Sequence, residues 1–291
     1  MNFQNIAVLL TCFNRKEKTL ACLNRLSIAI STLKDPFNLS VYLTDDGSTD
    51  GTAEAVAKQY PEAKILKGTG NLYWAGGMRN SWREAIKKDY DAYLLLNDDT
   101  NVFPSMFTEL LETHRYCVNN FKTGGIYLGS TKDAETGILS YGGARLTNKF
   151  LFKYHFIRPN GEIQSCELGN ANIMLVTKDV VSKIGILSEG YTHGVADYDY
   201  TLKAVAKNIP VLIAKEYCGT CTDDHSDIYL TFPDKTISER IALLKNPLSL
   251  DFKSNFNLML RHFPLRVPFV LFSAGLKILF PSVYVKGLRN R

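Results

Sequence analysis

The chain has 291 residues, of which 45% are hydrophobic and 22% are charged. This composition is typical of globular proteins and excludes a wholly disordered chain, and the length suffices for one large α/β domain or a domain with an extension. The net charge of +5 is unevenly distributed, because the segment from Phe252 onward contains seven Lys or Arg residues and no Asp or Glu.

The N-terminal residues and the cysteines indicate the cellular compartment in which the protein works. The first five residues include no basic residue, and the apolar run after them is too short for a signal peptide, so the sequence predicts none. Six mostly scattered cysteines favour a reducing cytosol over a disulfide framework. The exception is the pair Cys218 and Cys221, close to His225. Because a zinc site usually has a second such pair, we interpret these two as strand or loop thiols.

The first two predicted strands end in polar turns. Ile6–Thr11 is an apolar run that predicts a buried strand, and leucines at helical spacing predict a helix over Lys16–Thr32. No G-x-G-x-x-G lies between them, which argues against a nicotinamide or flavin enzyme. A second strand, Leu39–Thr44, ends in Asp45 and Asp46. A carboxylate there can bind a base or a ribose hydroxyl, although turn chemistry explains the same residues.

A glycine-rich segment follows the third predicted strand. Gly68–Asn80 contains four glycines beside Tyr73 and Trp74 and leads into a predicted helix, Ser81–Lys87. So many glycines indicate a backbone that packs closely against a ligand. Arg79 is a candidate for binding a phosphate there.

The strongest signal is the stretch Leu94–Thr100, in which three leucines are followed by Asn97, Asp98 and Asp99. Ligands of open α/β sheets bind beyond the carboxyl ends of the strands, and two carboxylates there suit a divalent cation that bridges to phosphates. The alternative is a turn or a helix cap. Since strands and helices alternate, we expect a parallel sheet, with this acidic turn and the one at Asp45 on the same edge.

The second half of the chain has a different pattern. Residues 124–129, 138–146, 150–157 and 162–168 read as strands without helices between them, which indicates antiparallel pairing. Further strands are predicted at 172–176 and 210–214. Asp197 and Asp199 lie at a helix start, where carboxylates act as caps or, alternatively, one acts as a general base. His225 is either a further metal ligand or part of a solvated loop.

The motifs VLLTCFNR, LTDDGSTDGT, GNLYWAGGMRN, LLLNDDT, LGNANIMLV and ADYDYTLKA, in this order, resemble family 2 glycosyltransferases of the GT-A fold. The resemblance covers about residues 5–225 and is closest to bacterial polysaccharide and rhamnosyltransferase-type members. It implies an inverting hexosyltransferase that uses Mn²⁺ or Mg²⁺. The implied donor is a UDP- or dTDP-sugar, and the implied acceptor is a hydroxyl of a glycan or lipid-linked oligosaccharide in cell-surface polysaccharide synthesis.

The same resemblance implies site roles. Asp197 corresponds to the catalytic base, although Ala196 replaces the Glu that usually precedes it, and Asn97 replaces the first Asp of a strict D-x-D. The implied metal ligands are Asp99, Asp98 and His225. The implied acceptor-binding residues are Asn170, His193 and Asp199. The implied nucleotide-sugar-binding residues are Thr11, Phe13, Arg15, Asp45, Asp46, Asn71, Trp74, Gly76, Gly77, Arg79 and Asp98.

We predict a catalytic domain over residues 1–235, with a nucleotide-sugar-binding half at 1–120 and an acceptor-binding half at 121–235. Residues 236–291 form a basic, apolar helical extension. No stretch of it reaches the ~20 apolar residues that span a bilayer. The extension is predicted either to lie on an anionic membrane, placing the protein at the inner face of the cell membrane, or to pack on the catalytic domain or on a second subunit of a homodimer. It is too apolar to favour nucleic acid.

Two other functions are compatible with the sequence. A nucleotidyltransferase on a related sheet would have a glycine-rich basic loop after the first strand, which is absent from Cys12–Arg15. A catalytically inactive glycan-binding or scaffold subunit is supported only by the departures at Asn97 and Ala196.

Overall fold

The computed structural model describes residues 3–222 and 228–289. Its longer strands are β1 (Asn5–Cys12), β2 (Asn38–Asp45), β3 (Lys64–Lys67), β4 (Ala92–Leu96), β6 (Ile126–Lys132), β8 (Gly143–Asn148), β9 (Lys153–Phe156), β12 (Ile173–Thr177) and β13 (Val211–Thr220). Short strands are β5 (Asn101–Val102), β7 (Leu139–Tyr141), β10 (Gln164–Ser165) and β11 (Leu168–Gly169). The helices are α1 (Lys16–Ser31), α2 (Thr52–Gln59), α3 (Tyr73–Ala85), α4 (Met106–Phe121), α5 (Lys178–Ile184), α6 (Ala196–Ala206), α7 (Ile237–Lys245), α8 (Phe252–His262), α9 (Val267–Leu279) and α10 (Pro281–Arg289).

A large mixed sheet forms the centre of the protein, with the order β10-β13-β6-β12-β4-β1-β2-β3. Strands β3, β2, β1 and β4 are parallel, so their carboxyl ends share one edge. Strand β12 runs antiparallel to β4 and β6, which brings its N-terminal end, near Asn172, to that same edge. The predicted α/β architecture with a parallel nucleotide-side sheet is confirmed, and both acidic turns lie at its carboxyl edge.

Buried apolar residues on both faces of this sheet explain the continuous hydrophobic runs of β1 and β4. Successive residues of β1, such as Val8 and Leu9, point to opposite faces of the sheet and belong to two different core clusters. One cluster includes α1 and α4, and the other includes α3, α6 and Trp82. A sheet covered on both faces holds its carboxyl-end loops in fixed positions.

Helix α3 corrects one prediction. The segment Gly68–Asn80 was expected to be a loop, but helix α3 begins at Tyr73 and includes Gly76 and Gly77. A Cβ on Gly77 would lie 2.0 Å from Thr11 Oγ1, so this glycine allows the helix to pack against β1. Gly77 therefore serves helix–strand packing.

A three-stranded antiparallel sheet, β11-β8-β9, lies beside the central sheet, as the second-half pattern predicted. The C-terminal extension is helical, also as predicted, and its α8 packs on α6 through Leu258, Met259 and Phe263. Within residues 3–222 and 228–289, no helix has both the length and the hydrophobicity needed to cross a bilayer.

Candidate active site

The loops after β1 and β2 are joined by hydrogen bonds. The Asn14 amide donates to Ser48 Oγ (2.9 Å), and the Thr49 amide donates to Asn14 Oδ1 (2.7 Å). Asn14 adopts a φ of 52°, a left-handed conformation that asparagine tolerates well. The preceding Phe13 is half exposed. An exposed ring beside fixed polar loops can stack on a nucleobase.

Asp45 and Asp46 play different parts in this edge. Asp46 accepts three backbone N–H groups, from Gly70 at its Oδ1 and from Leu72 and Tyr73 at its Oδ2. It therefore holds the β3–α3 loop and the start of α3. Asp45 accepts one backbone N–H, from Ser48. Of the two, Asp45 retains more acceptor capacity for a ribose or base.

Asp98 and Asp99 both contact the guanidinium of Arg15. The Nη1 atom lies 2.6 Å from Asp99 Oδ2 and 3.3 Å from Asp98 Oδ1, and Thr19 Oγ1 donates to Asp98 Oδ2 (3.2 Å). Burial raises the pKa of Asp98 to about 7, with Arg15 opposing the rise and Asp99 adding to it. The doublet is thus a concentrated negative site, and the positive group nearest to it is a partly exposed arginine.

A cavity of about 300 Å³ opens beside Asp99, between the start of α1 and the end of β13. Cys221 lies on its wall, with Sγ 3.7 Å from Asp99 Oδ1. Burial, followed by the charge of Asp99, raises the pKa of this thiol to about 12, so it is a neutral thiol at physiological pH. Sequence reasoning missed this neighbour of the doublet, and the proximity of the cysteine pair to His225 was the only signal. Both Cys218 and Cys221 are free thiols.

A divalent cation fits the doublet on chemical grounds. Carboxylate oxygens are preferred ligands of Mg²⁺ and Mn²⁺, and the Arg15 guanidinium already stands as a cation between the two. Among the described residues, no group of three His, Cys, Asp or Glu side chains forms a complete metal shell. Of the described residues, the doublet would supply two carboxylate ligands, and donor phosphates and water could occupy further positions. The predicted ligand His225 lies outside the described residues.

Several predicted donor contacts have structural roles instead. Arg79 is buried and donates from Nη1 to the Ser188 carbonyl (3.0 Å) and from Nη2 to the Tyr191 carbonyl (2.9 Å). It therefore holds the loop before α6 and is not directed at a phosphate, which corrects the prediction. Thr11 and Gly77 form the β1–α3 packing contact, Gly76 packs against Leu72 at the start of α3, and all three are buried. Asn71 is exposed at the edge and remains a candidate donor contact.

A short turn connects the doublet to the predicted base. Trp74 Nε1 donates to Asn97 Oδ1 (2.7 Å), and the Asn97 amide donates to the Asn172 carbonyl (3.2 Å). The adjacent Ala171 amide donates to Asp197 Oδ2 (3.2 Å). Consecutive residues of one turn thus contact both sites. Asn97, which replaces an Asp of the strict motif, accepts the indole N–H and fixes Trp74 beside the doublet.

Asp197 lies in the first turn of α6 and is partly buried. Its Oδ1 accepts the Tyr198 amide (2.8 Å) and its Oδ2 accepts the Ala171 amide. Burial raises the pKa of Asp197 to about 6, while these N–H groups and the Asn170 side chain oppose the rise. A carboxylate with this pKa is ionised at neutral pH yet basic enough to accept a proton. Asn170 therefore lies next to Asp197, as an acceptor-side residue would.

Asp199 has a different environment. It is fully buried, accepts Tyr191 Oη–H (3.0 Å), and pairs with His262 Nε2 (2.7 Å) and Arg261 Nη1 (3.0 Å). Burial alone would raise its pKa, but hydrogen bonds from His262, Ser188 and Arg261 and the arginine charge lower it to about 2. These contacts do not support the predicted acceptor contact, because its oxygens already serve an internal ion pair.

Helix α8 holds the loop that precedes Asp197. Asp251 Oδ2 accepts the amides of His193 and Gly194 (3.1 Å each), and Ser254 Oγ accepts the Thr192 amide (3.0 Å). Asn257 Nδ2 donates to the Gly190 carbonyl (2.6 Å). His193, a predicted acceptor residue, thus lies on a loop fixed by the C-terminal extension. Nothing in the local sequence of residues 251–257 indicated this contact.

The family model that describes glycosyl transferase family 2 matches residues 7–157, which is half of the chain. The chain belongs to glycosyl transferase family 2. The matched region contains the β1 loop, the Asp45–Asp46 turn and the Asp98–Asp99 doublet, so the family assignment rests on the donor side of the site. The predicted membership is confirmed. A search of curated protein sequences found no match.

Solved structures of similar fold include a mannosyltransferase and the protein TarS. A mannosyltransferase from Pyrobaculum calidifontis, in complex with GDP-Man and Mn²⁺, aligns with a TM-score of 0.56 and 12% identity over 98% of this chain and 73% of its own. TarS residues 1–349 from S. aureus aligns with a TM-score of 0.51 and 15% identity over 91% of this chain and 72% of its own. The same TarS fragment with UDP-GlcNAc aligns with a TM-score of 0.52. At these identities the likeness shows a shared fold.

Proposed function

We propose that this family 2 protein is a metal-dependent inverting glycosyltransferase that transfers a sugar from a nucleotide-diphosphate donor to an acceptor hydroxyl. The observation that carries the proposal is the shared edge of the sheet. There the Asp98–Asp99 doublet and the partly buried Asp197 are joined through Ala171 and Asn172. A donor-side acidic site and a separate base are the two parts that such a transfer requires.

The donor side binds and orients the nucleotide sugar. Phe13 stacks on the base, Asp45 accepts a ribose hydroxyl, and Asp99 with Asp98 holds Mn²⁺ or Mg²⁺. When bound, the metal supplies electrostatic stabilisation of the leaving diphosphate. Arg15 is placed to turn from the doublet toward the diphosphate, because its guanidinium is partly exposed. A cation bound at the doublet would then neutralise Asp98 and Asp99 in place of Arg15.

The acceptor side moves the proton. Asp197 accepts the proton of the acceptor hydroxyl as that oxygen attacks the anomeric carbon on the face opposite the leaving diphosphate, which inverts the configuration. The Ala171 and Tyr198 amides hold the carboxylate in place. Asn170 lies beside Asp197, and His193 lies on the loop that leads into α6; both are proposed acceptor contacts. A general base of this kind contributes typically ~10²–10⁴-fold.

The proposed acceptor is a glycan or lipid-linked oligosaccharide of a cell-surface polysaccharide, processed by a peripheral enzyme at the inner face of the membrane. The basic, apolar extension supports this location. The proposed division is a catalytic domain over residues 1–235 and an extension over 236–291.

The test is a screen for nucleoside diphosphate release from a panel of UDP-, dTDP- and GDP-sugars, with Mn²⁺, with Mg²⁺ and with EDTA. We expect release that depends on the metal and rises when a suitable acceptor is added. Release of pyrophosphate from sugar phosphate and nucleoside triphosphate would indicate a nucleotidyltransferase. Donor binding without any turnover would instead favour the inactive glycan-binding or scaffold subunit.

A further inference from the structure

Helix α9 presents a largely uncovered apolar surface. Its sequence, VPFVLFSAGLKIL, contains one charged residue, and only Ala274 is buried. Seven large apolar side chains on and around it are each more than half exposed: Leu265, Phe269, Leu271, Phe272, Leu279, Phe280 and Val283. We refer to these seven residues as the α9 surface. Single exposed apolar residues are normal, but such a cluster on one helix and its flanks marks an interaction site.

A second segment, distant in sequence, extends this surface. The β8–β9 turn carries Phe150 and Leu151, both about half exposed. The Phe150 ring meets Phe269 edge to face with centroids 6.1 Å apart, and Arg266 Nη1 donates to the Phe150 carbonyl (3.3 Å). Two parts of the fold therefore present exposed aromatic groups to the same side.

Aromatic rings also lead from this side toward the proposed base. Phe152 packs on Phe263 (4.9 Å between centroids) and on Tyr154 (5.5 Å), and Tyr154 meets Tyr198 (6.0 Å). Tyr198 follows Asp197 directly in α6. The three-stranded sheet thus connects the acceptor side of the site with the α9 surface, so whatever binds that surface lies on the acceptor side of the enzyme.

The charge of the C-terminal segment that carries the α9 surface selects the occupant. From Phe252 to the C terminus there are seven basic residues and no acidic ones. A second copy of the chain, related by a two-fold axis, would bring like charges together, which is unfavourable. A bilayer with anionic headgroups offers both the apolar boundary and the opposite charge. At 13 residues, or roughly 20 Å, α9 is too short to span the ~30 Å core and is suited to lie along its surface.

We propose that the α9 surface and the Phe150–Leu151 turn dock on the anionic face of a lipid bilayer, with α9 lying in the interface. The docking specifies the membrane contact of the proposed function and presents Asp197 to acceptors carried by lipid. Only that last step rests on the proposed function, since docking itself requires no transfer.

The experiment is flotation of the purified full-length chain with vesicles of phosphatidylcholine alone or mixed with phosphatidylglycerol. We expect binding to the mixed vesicles at low salt, and its loss at high salt. In the variant Phe269→Ser/Phe272→Ser we expect at least a tenfold loss of binding, because two exposed rings that would enter the apolar boundary are replaced by polar side chains. The matched control is Ile86→Ser/Ile138→Ser, which replaces two exposed isoleucines elsewhere and should bind like the wild type.

Binding that is absent on mixed vesicles, or equal in both double variants, would overturn the proposal. A dimer in sedimentation that dissociates in Phe269→Ser/Phe272→Ser, without vesicle binding, would overturn it in favour of a second copy. Transfer to a water-soluble acceptor, measured on the same variants, should be unchanged. If that transfer is absent in the wild type as well, the proposed function fails while the docking result stands.

Discussion

Two acidic pairs of this protein differ in how their carboxylates are used. Asp98 and Asp99 are adjacent in a loop and both contact one guanidinium. Asp197 and Asp199 are two residues apart on α6 and have unrelated surroundings. Residues i and i+2 of a helix lie on nearly opposite sides, whereas a turn lets neighbouring side chains converge. The first pair therefore shares one environment, whereas the second divides into the proposed base, Asp197, and a residue of a buried ion pair, Asp199.

The largest expected effect concerns Asp197, the proposed base. The variant Asp197→Asn keeps the shape of the side chain but cannot accept the proton, so we expect transfer to fall by ~10²–10⁴-fold. The measurement is steady-state transfer to a saturating acceptor, with Asp35→Asn, an exposed aspartate away from the site, as the control. Wild-type turnover in Asp197→Asn would remove Asp197 from the mechanism.

The structural role of Asp199 is tested by the free energy of unfolding. Asp199→Ala leaves His262 and the partly exposed Arg261 without their carboxylate, so we expect the free energy of unfolding to fall by about 3 kcal/mol, the low end for a broken buried pair. Urea denaturation measures this, and Asp35→Ala should stay within ~0.5 kcal/mol of the wild type. If Asp199→Ala were fully stable, its ion pair would not hold α6 to α8.

The same pair should respond differently to pH. Asp197 must be ionised to act as a base, and its pKa is raised to about 6 by burial. We therefore expect kcat/KM for the acceptor to fall about tenfold per pH unit below that value. Asp199 has a pKa of about 2, below the ~3.9 of an unfolded aspartate, so its stabilisation persists above pH 4 and is lost as the pH falls toward 2. Full activity at pH 5 would contradict the Asp197 assignment.

The smallest effect concerns the support of the base loop by α8. Asn257→Ala removes the hydrogen bond to the Gly190 carbonyl, worth ~1 kcal/mol, so we expect kcat to fall about fivefold with an unchanged KM for the donor. Asn120→Ala is the matched control, because its amide bonds only to Tyr116 within α4 among the described residues. A change in donor KM instead would show that the loop serves the donor side.

The sequence predicted those features that depend on local pattern. Buried runs such as Leu94–Leu96 identified the strands, and parallel strands necessarily bring Asp45 and Asp99 to one edge. Helical geometry could also have separated Asp197 from Asp199 before the structure was known. The start of α3 was missed, because glycines such as Gly77 are typical of loops, and its packing against Thr11 is visible only in the structure.

Contacts between distant segments were not predictable. The link from Asp251 to His193 and the proximity of Cys221 to Asp99 depend on tertiary packing, to which hydrophobic periodicity is insensitive. The extension was predicted either to pack on the catalytic domain or to remain available to a membrane. In the structure α8 packs on α6, whereas α9 keeps Phe269 and Phe272 exposed. Packing on the catalytic domain thus applies to α8, and the membrane contact of α9 stays a proposal.

The most direct test of the division between donor side and acceptor side is calorimetric titration of one nucleotide sugar into three proteins, with and without Mn²⁺. The wild type and Asp197→Asn should bind the donor alike, with tighter binding in Mn²⁺. Asp99→Asn should lose that metal-dependent gain, because it removes one of the two proposed ligands. Equal metal-dependent binding by Asp99→Asn, or loss of donor binding in Asp197→Asn, would contradict the account.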